Sequence, residues 1–165
     1  MIVAIQDANI LIDLCKTGLL EPYAQLGFET YTSDLVYWEV RGRHNLTSWV
    51  EAGHLQIVTR DDDAMWKLLE FKQRSSPALS LQDCSVLLLA IERNAVLLTG
   101  DNRLRREATE AGVKVHGVLW LFDQLVGNGI LPPAEATERL RILKTINPRL
   151  PADECEKRFK RWASL

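Results

Sequence analysis

Four acidic residues sit where acids can do chemistry: Asp7, Glu39, Asp83 and Asp101. Asp7 follows the apolar run IVAIQ and Asp101 follows AVLLTG, so each comes just after a short β-favouring stretch. In an open parallel sheet, ligands collect outside the carboxyl ends of the strands, and two acids so placed converge at one edge if their strands are close. Asp83 stands at the head of a segment whose next residues, Cys84, Val86, Leu87, Leu88, Leu89, Ala90 and Ile91, are apolar. Glu39 lies in LVYWEV, between Trp38 and Val40. An acid with such neighbours needs a partner. Carboxylates gathered in one pocket repel each other and raise some of their pKa values unless cations neutralise them. Hard oxygen donors of this kind select Mg²⁺ or Mn²⁺.

Each acid also has a local explanation. Asp7 is a natural helix cap or turn former, and Asp101-Asn102 is a turn and cap pair. Asp83 suits the first turn of a helix, where a negative charge meets the positive end of the dipole. Glu39 has Arg41 and Arg43 within ion-pairing reach along the chain. Taken singly, the two strand-following aspartates need no more than this.

The elements that must position these residues follow from patterning. Short, mostly continuous apolar runs at 2–5, 28–31, 55–58, 95–98 and 113–115 suit strands buried on both faces. Helical patterns fill the intervals, at 9–15, at 34–41 behind a Thr32–Ser33 cap, at 46–52 and at 62–73. Ser80-Leu81-Gln82-Asp83 has the form of a capping box, and the helix it opens, to about Arg93, is apolar almost all round and should be deeply packed. Asn94 suits a left-handed cap before the next strand. A helix at 102–111 ends at Gly112, and helices follow at 118–126, at 133–146 with proline in the first turn, and at 152–163 after the Pro148/Pro151 break. Strands alternating with helices predict an α/β fold with a parallel sheet wrapped by helices.

At 165 residues with 47% apolar content, the chain suits a single folded domain. No linker, repeat or low-complexity tract divides it. Twenty basic and twenty-two acidic residues nearly cancel, so any grip on nucleic acid must be local. Candidate patches are Arg41, Arg43 and His44; Arg103, Arg105 and Arg106; and Lys157, Arg158, Lys160 and Arg161, each read more readily as an ordinary solvated face. Cys15, Cys84 and Cys155 are odd in number and widely spaced, as expected of reduced thiols in a cytoplasmic protein. The start MIVAIQD lacks a basic leader, and no apolar run is long enough to span a bilayer.

Together, the four acids and their surroundings resemble the PIN-domain family. IVAIQDANILIDL looks like that family's opening strand, whose Asp is followed two residues on by Asn or Ser, here Asp7 and Asn9. TSDLVYWEVR is similar to the segment that supplies a glutamate, here Glu39. The stretch LSLQDCSVLLLAIERNAVLLTGDNRLRREATEAGVKVHG resembles the helix–strand–helix portion, with Asp83 as the third acid and Thr99-Gly100-Asp101 supplying the fourth. The resemblance implies one PIN-like nuclease domain over residues 1–165, of three-layer α/β/α architecture. Its core spans about 1–117 and a helical extension about 118–165.

What the resemblance implies for function is a metal-dependent endoribonuclease. Asp7, Glu39, Asp83 and Asp101 would hold one or two Mg²⁺ or Mn²⁺ ions that activate water for attack on RNA phosphodiesters. Asn9 and Thr99 would support the aspartates by hydrogen bonds, although simple turn chemistry explains them equally well. Arg103, Arg105 and Arg106 would contact the RNA backbone. The family includes VapC-type toxins, which implies a small antitoxin partner and a homodimer as further expectations. The rivals are weaker. An aspartyl-phosphate phosphotransferase would want an acid where Asn9 stands, and neither G-x-G-x-x-G nor a P-loop is present. The serious alternative is a catalytically silent PIN-like module that binds RNA or a partner.

Overall fold

The computed structural model describes residues 1–165. Five strands, β1 (Val3–Gln6), β2 (Glu29–Ser33), β3 (Gln56–Val58), β4 (Val96–Leu98) and β5 (Val115–His116), pair in the order β3-β2-β1-β4-β5. Every pair is parallel. All five runs expected to be strands are strands, with ends shifted by one or two residues. The central strand carries the deepest residues: Ala4, Ile5 and Gln6 are wholly buried. Its end is extended to Gln6 because the Gln6 carbonyl accepts from the Thr32 hydroxyl at 2.7 Å and the following Asp7 amide donates to the Leu98 carbonyl at 3.0 Å.

Helices supply the crossovers that parallel strands require. They are α1 (Ala8–Thr17), α2 (Leu20–Ala24), α3 (Asp34–Arg41), α4 (Thr47–Glu51), α5 (Asp62–Arg74), α6 (Leu81–Glu92) and α7 (Asn102–Glu110). The short α2 is absent from the sequence patterning, since five residues containing Pro22 carry too little periodicity to register. The capping expectations hold in detail. Ser33 caps α3, Ser80 and Asp83 form a reciprocal capping box at α6, and Asn94 takes the left-handed conformation at φ 49°. Helix α6 lies against β1, β2 and β4 with Cys84, Val86, Leu87, Leu89 and Ala90 buried, completing the three-layer α/β/α arrangement.

After β5 come α8 (Val118–Gly127), α9 (Pro133–Ile146) and α10 (Ala152–Ala163). This extension is fastened to the sheet-bearing part by apolar packing, with Phe122, Leu140, Phe159 and Trp162 in the common core, and by a few polar ties. Arg139 of α9 donates to the carbonyls of Thr17 and Gly18 at 2.6 and 3.1 Å, meeting groups that the end of α1 leaves unsatisfied. Asn147 donates to buried Asp13 of α1 at 3.2 Å. Within the extension, Asp123 of α8 pairs with Arg158 at 2.6 Å and also with Arg161, both on α10. No helix is long and apolar enough to cross a membrane, and the three cysteines are free.

The Arg139 tie is testable. Gly18 has φ +66°, and a Cβ there would stand 2.7 Å from Arg139 Nη1, whereas Gly27 at φ +69° has nothing within 4 Å. Gly27→Ala should therefore cost only the left-handed backbone penalty, about 1–2 kcal/mol. Gly18→Ala should cost roughly 1 kcal/mol more by displacing a charged hydrogen bond. Denaturant unfolding of the two variants measures the difference; equal losses would deny Arg139 its fastening role.

The sheet order places the reversal of winding between β1 and β4: the chain runs outward from β1 to β2 and β3 on one side, and from β4 to β5 on the other. The gap beyond the carboxyl ends of these two strands is the topological switch point, where α/β sheets open a crevice. Asp7 and the Thr99–Asp101 turn stand there.

Candidate active site

Asp7 leaves β1 in an extended conformation and caps α1, its Oδ1 accepting from the Ala8 amide at 2.7 Å. Its Oδ2 accepts from Asn9 Nδ2 at 2.9 Å and from the Thr99 hydroxyl at 2.7 Å. The Thr99 hydroxyl in turn accepts from the Asp101 amide at 3.1 Å, and Asn9 Oδ1 accepts from the Gly100 amide at 2.8 Å. The turns after β1 and β4 are thus laced together by side chains of the expected supporting residues, Asn9 and Thr99.

Asp101 caps α7: its Oδ1 accepts from the amides of Arg103 and Leu104 at 2.8 and 2.9 Å, which leaves Oδ2 unengaged. Asp83 uses Oδ2 to accept from the Ser80 amide at 2.9 Å and keeps Oδ1 unengaged. The Ser33–Ser85 hydroxyl contact, 2.7 Å, ties α6 to the end of β2, two residues from Asp83.

The electrostatics join these three acids. Asp7 is only 4% exposed, and its carboxyl is pushed up to about 6, first by burial and then by the negative charges of Asp83 and Asp101. The bonds from Thr99 and Ala8 pull the other way. No lysine or arginine contributes to holding Asp7 ionised. A buried carboxylate facing two more acids without a protein cation is a set that a hard divalent ion would complete.

The set is open rather than closed. No three carboxylate, imidazole or thiol side chains stand near enough together to hold one ion directly. Asp83 and Asp101 each commit one oxygen to the helix they begin, which leaves one oxygen apiece for an ion. Mg²⁺ tolerates this, since it keeps several waters and uses only one or two carboxylates. The donor chemistry therefore fits such an ion, with one or two of these carboxylates, through the free oxygens of Asp83 and Asp101 or the remaining lone pair of Asp7, as direct ligands and the others reached through its waters.

Glu39 is placed differently. It is exposed on α3, makes no hydrogen bond or ion pair through its side chain, and adds nothing to the charge felt by Asp7. The alternative ion pair with Arg41 or Arg43 is not formed either; Arg41 instead lies 4.6 Å over the ring of Trp38.

A cleft of about 1190 Å³ begins at this edge of the sheet, where Asn9, Gly100 and Asp101 line it. Arg103 and Arg105 also line it, and Arg105 donates to the Thr99 carbonyl at 3.3 Å. Arg106 is exposed on α7 outside the cleft, because one residue of helix turns a side chain by about 100°. The opposite wall comes from the extension, through Asp123, Asn147, Arg149 and Arg158. Sequence reasoning missed this wall. Its one available signal was the proline-bounded break from Pro148 to Pro151, which had to be either a linker or a shaped loop.

Thr99→Val tests the lacing, since valine keeps the shape but removes the hydroxyl shared between Asp7 and Asp101. It should raise the Asp7 pKa further, cost about 1–3 kcal/mol of stability and lower any metal affinity about 10- to 100-fold. Isothermal titration with Mn²⁺ reads the affinity, and wild-type affinity in Thr99→Val would remove Thr99 from the site.

A family model described as "DUF3368: PIN domain" matches residues 3–164. Endoribonuclease Nob1 of Methanocaldococcus jannaschii is 29% identical over 91 residues, covering 54% of this chain and 46% of the relative. The chain thus spans about half the length of that curated relative. Among solved structures, a PilT N-terminus domain protein from Sulfolobus solfataricus P2 is similar at a TM-score of 0.53, with 15% identity over 76% of this chain and 92% of that one. PAE2754 from Pyrobaculum aerophilum is similar at a TM-score of 0.53, with 17% identity over 76% of this chain and 98% of that one. These two likenesses concern the fold. With the family match running through the strands, the acids at the switch point and the three last helices alike, the chain belongs to the PIN-domain family.

Proposed function

We propose that this protein is a divalent-metal-dependent endoribonuclease that hydrolyses RNA at the β1/β4 switch point. The observation that carries the reading is Asp7: a buried carboxylate whose proton is held by burial and by Asp83 and Asp101, with no protein cation to offset them. Membership of the PIN-domain family and the match to a protein named as an endoribonuclease support it.

In this reading Asp7, Asp83 and Asp101 hold the ion, and Glu39 of α3 is assigned the fourth carboxylate. When bound, Mg²⁺ or Mn²⁺ supplies Lewis acidity and a source of nucleophilic water at neutral pH. The chain's own residues do the positioning. Thr99 and Asn9 fix the carboxylate of Asp7, and the cap at α7 fixes that of Asp101. Arg103 and Arg105 face the cleft, where they can orient a phosphodiester.

Purified protein with Mn²⁺ should cut single-stranded RNA, and EDTA should abolish the cutting. Binding without metal-dependent cleavage would instead identify a silent module. Single-stranded DNA of the same sequence, run in parallel, shows whether the ribose hydroxyl is read. The finer reading makes this nuclease the toxin of a toxin–antitoxin pair, working as a homodimer held by a small antitoxin. Growth arrest on inducing wild type but not Asp7→Asn tests it.

A further inference from the structure

The geometry points to the C-terminal helices α8–α10 as the second wall of a groove for single-stranded RNA, with Arg149 gripping backbone phosphate across from Arg103 and Arg105 and the His116–Trp120 stack meeting a base. This rests on the proposed ribonuclease reading and extends it from the acids to the substrate.

Four observations carry it. First, the cleft runs without a break from Asp101 to the α9–α10 connection, and its volume of about 1190 Å³ exceeds the usual ~300–1,000 Å³ of a small-molecule site. A slot of that size between two walls suits several residues of an unpaired strand, whereas duplex RNA is met through its wide, shallow minor groove.

Second, the cations on the two walls differ in whether they are free. Arg158 is consumed by Asp123 and Glu154 at 2.6 and 3.2 Å. Arg103 and Arg149 are exposed, line the cleft and make no ion pair or side-chain hydrogen bond. One free guanidinium on each wall is what a passing phosphate chain needs, and a near-neutral protein has no other long-range attraction for it.

Third, the rings of His116 and Trp120 lie parallel at 4.2 Å and 6°, and Trp120 continues onto Phe28 at 5.8 Å. His116 and Trp120 line the cleft, and Phe28 beneath them packs against the core. Burial, then Arg105 and Lys114, hold the His116 imidazole below its ordinary pKa, so at neutral pH it is an uncharged ring of the kind bases stack on.

Fourth, the extension is held too firmly to be a loose tail. Arg139 on Thr17 and Gly18 and Asn147 on Asp13 tie it to α1 at two points, and Asp123 on Arg158 joins α8 to α10 within it.

The test uses the full chain and a fluorescein-labelled ten-nucleotide single-stranded RNA, read by anisotropy in EDTA over a range of salt and by cleavage kinetics in Mn²⁺. Arg149→Ala should weaken binding about fivefold, lower the magnitude of the salt slope by about 0.7 per lost phosphate contact, and raise KM with kcat little changed. Arg106→Ala, outside the cleft, should match wild type. His116→Ala should weaken binding about fivefold without altering the salt slope, and His116→Phe should restore it. Wild-type affinity, slope and KM in Arg149→Ala, with Arg103→Ala impaired, would overturn the second wall while leaving the nuclease reading intact. Absence of cleavage by wild type would instead strike the nuclease reading, and the anisotropy arm would still decide whether Arg149 binds RNA.

Discussion

Asp7→Asn should reduce metal-dependent RNA cleavage by about a thousandfold, the equivalent of losing ~4 kcal/mol of transition-state stabilisation. The expectation comes from position. Asp7 is the most buried of the acids at the switch point, is fixed by three hydrogen bonds and feels both Asp83 and Asp101. Removing its charge leaves the ion Asp83 and Asp101, each half committed to a helix cap, and the exposed Glu39. The fold should survive. Asparagine with its oxygen in the Oδ2 position keeps the bonds from Asn9 and Thr99 and gives up only that from the Ala8 amide, about 1 kcal/mol, and it also relieves the cost of burying an ionised group. Rate measurements under saturating Mn²⁺, with melting curves on the same samples, separate the two effects. Equal residual cleavage by wild type and variant across several RNAs would assign the activity to a contaminant.

The second large effect is on stability, and its sign follows from the same residue. The folded-state pKa of Asp7 is raised from 3.8 to about 6, so the folded protein binds this proton more tightly than the unfolded chain does. The stability this contributes is fully present below about pH 4 and is lost as pH rises through about 6, a swing on the order of 3 kcal/mol. Asp13, also raised to about 6 by burial, acts in the same direction. In EDTA, the difference in melting temperature between wild type and Asp7→Asn should therefore widen between pH 4 and pH 7, with wild type the less stable at the upper end.

Mn²⁺ should reverse that deficit, because it binds the folded pocket and needs deprotonated ligands. At a hundred times its Kd it adds about 2.7 kcal/mol, or roughly 5–10 °C for a chain of this size. Asp101→Asn should lose most of this rise. A full Mn²⁺ response in Asp101→Asn would place the ion elsewhere.

Much of this architecture is legible in the chain because it is written locally. Five short, mostly continuous apolar runs had the length and composition of strands, although the edge strands β3 and β5 are only partly buried because one side of each has no neighbour. Ser33, Ser80, Asp83 and Asn94 announce helix boundaries by hydrogen bonds that reach no more than a few residues. The placing of Asp7 and Asp101 at one edge follows from their positions after parallel strands, so that convergence needed only the strand order to be realised.

What the sequence left open depends on contacts between residues far apart. Glu39 is flanked by Trp38 and Val40, which suggests burial, yet helical geometry turns Trp38 and Glu39 outward while Val36 and Val40 face the core. The run Lys157, Arg158, Lys160 and Arg161 reads as a basic patch, but Asp123, on another helix, takes Arg158 and Arg161. Arg106 cannot be told from Arg105 until the angle at which α7 meets the cleft is known. Least legible was the second wall. Whether the proline-bounded loop carrying Arg149 shares a cleft with Asp101 or points away is set by Arg139 and Asn147 reaching back to α1, across more than a hundred residues of chain, and only the folded molecule decides contacts of that range.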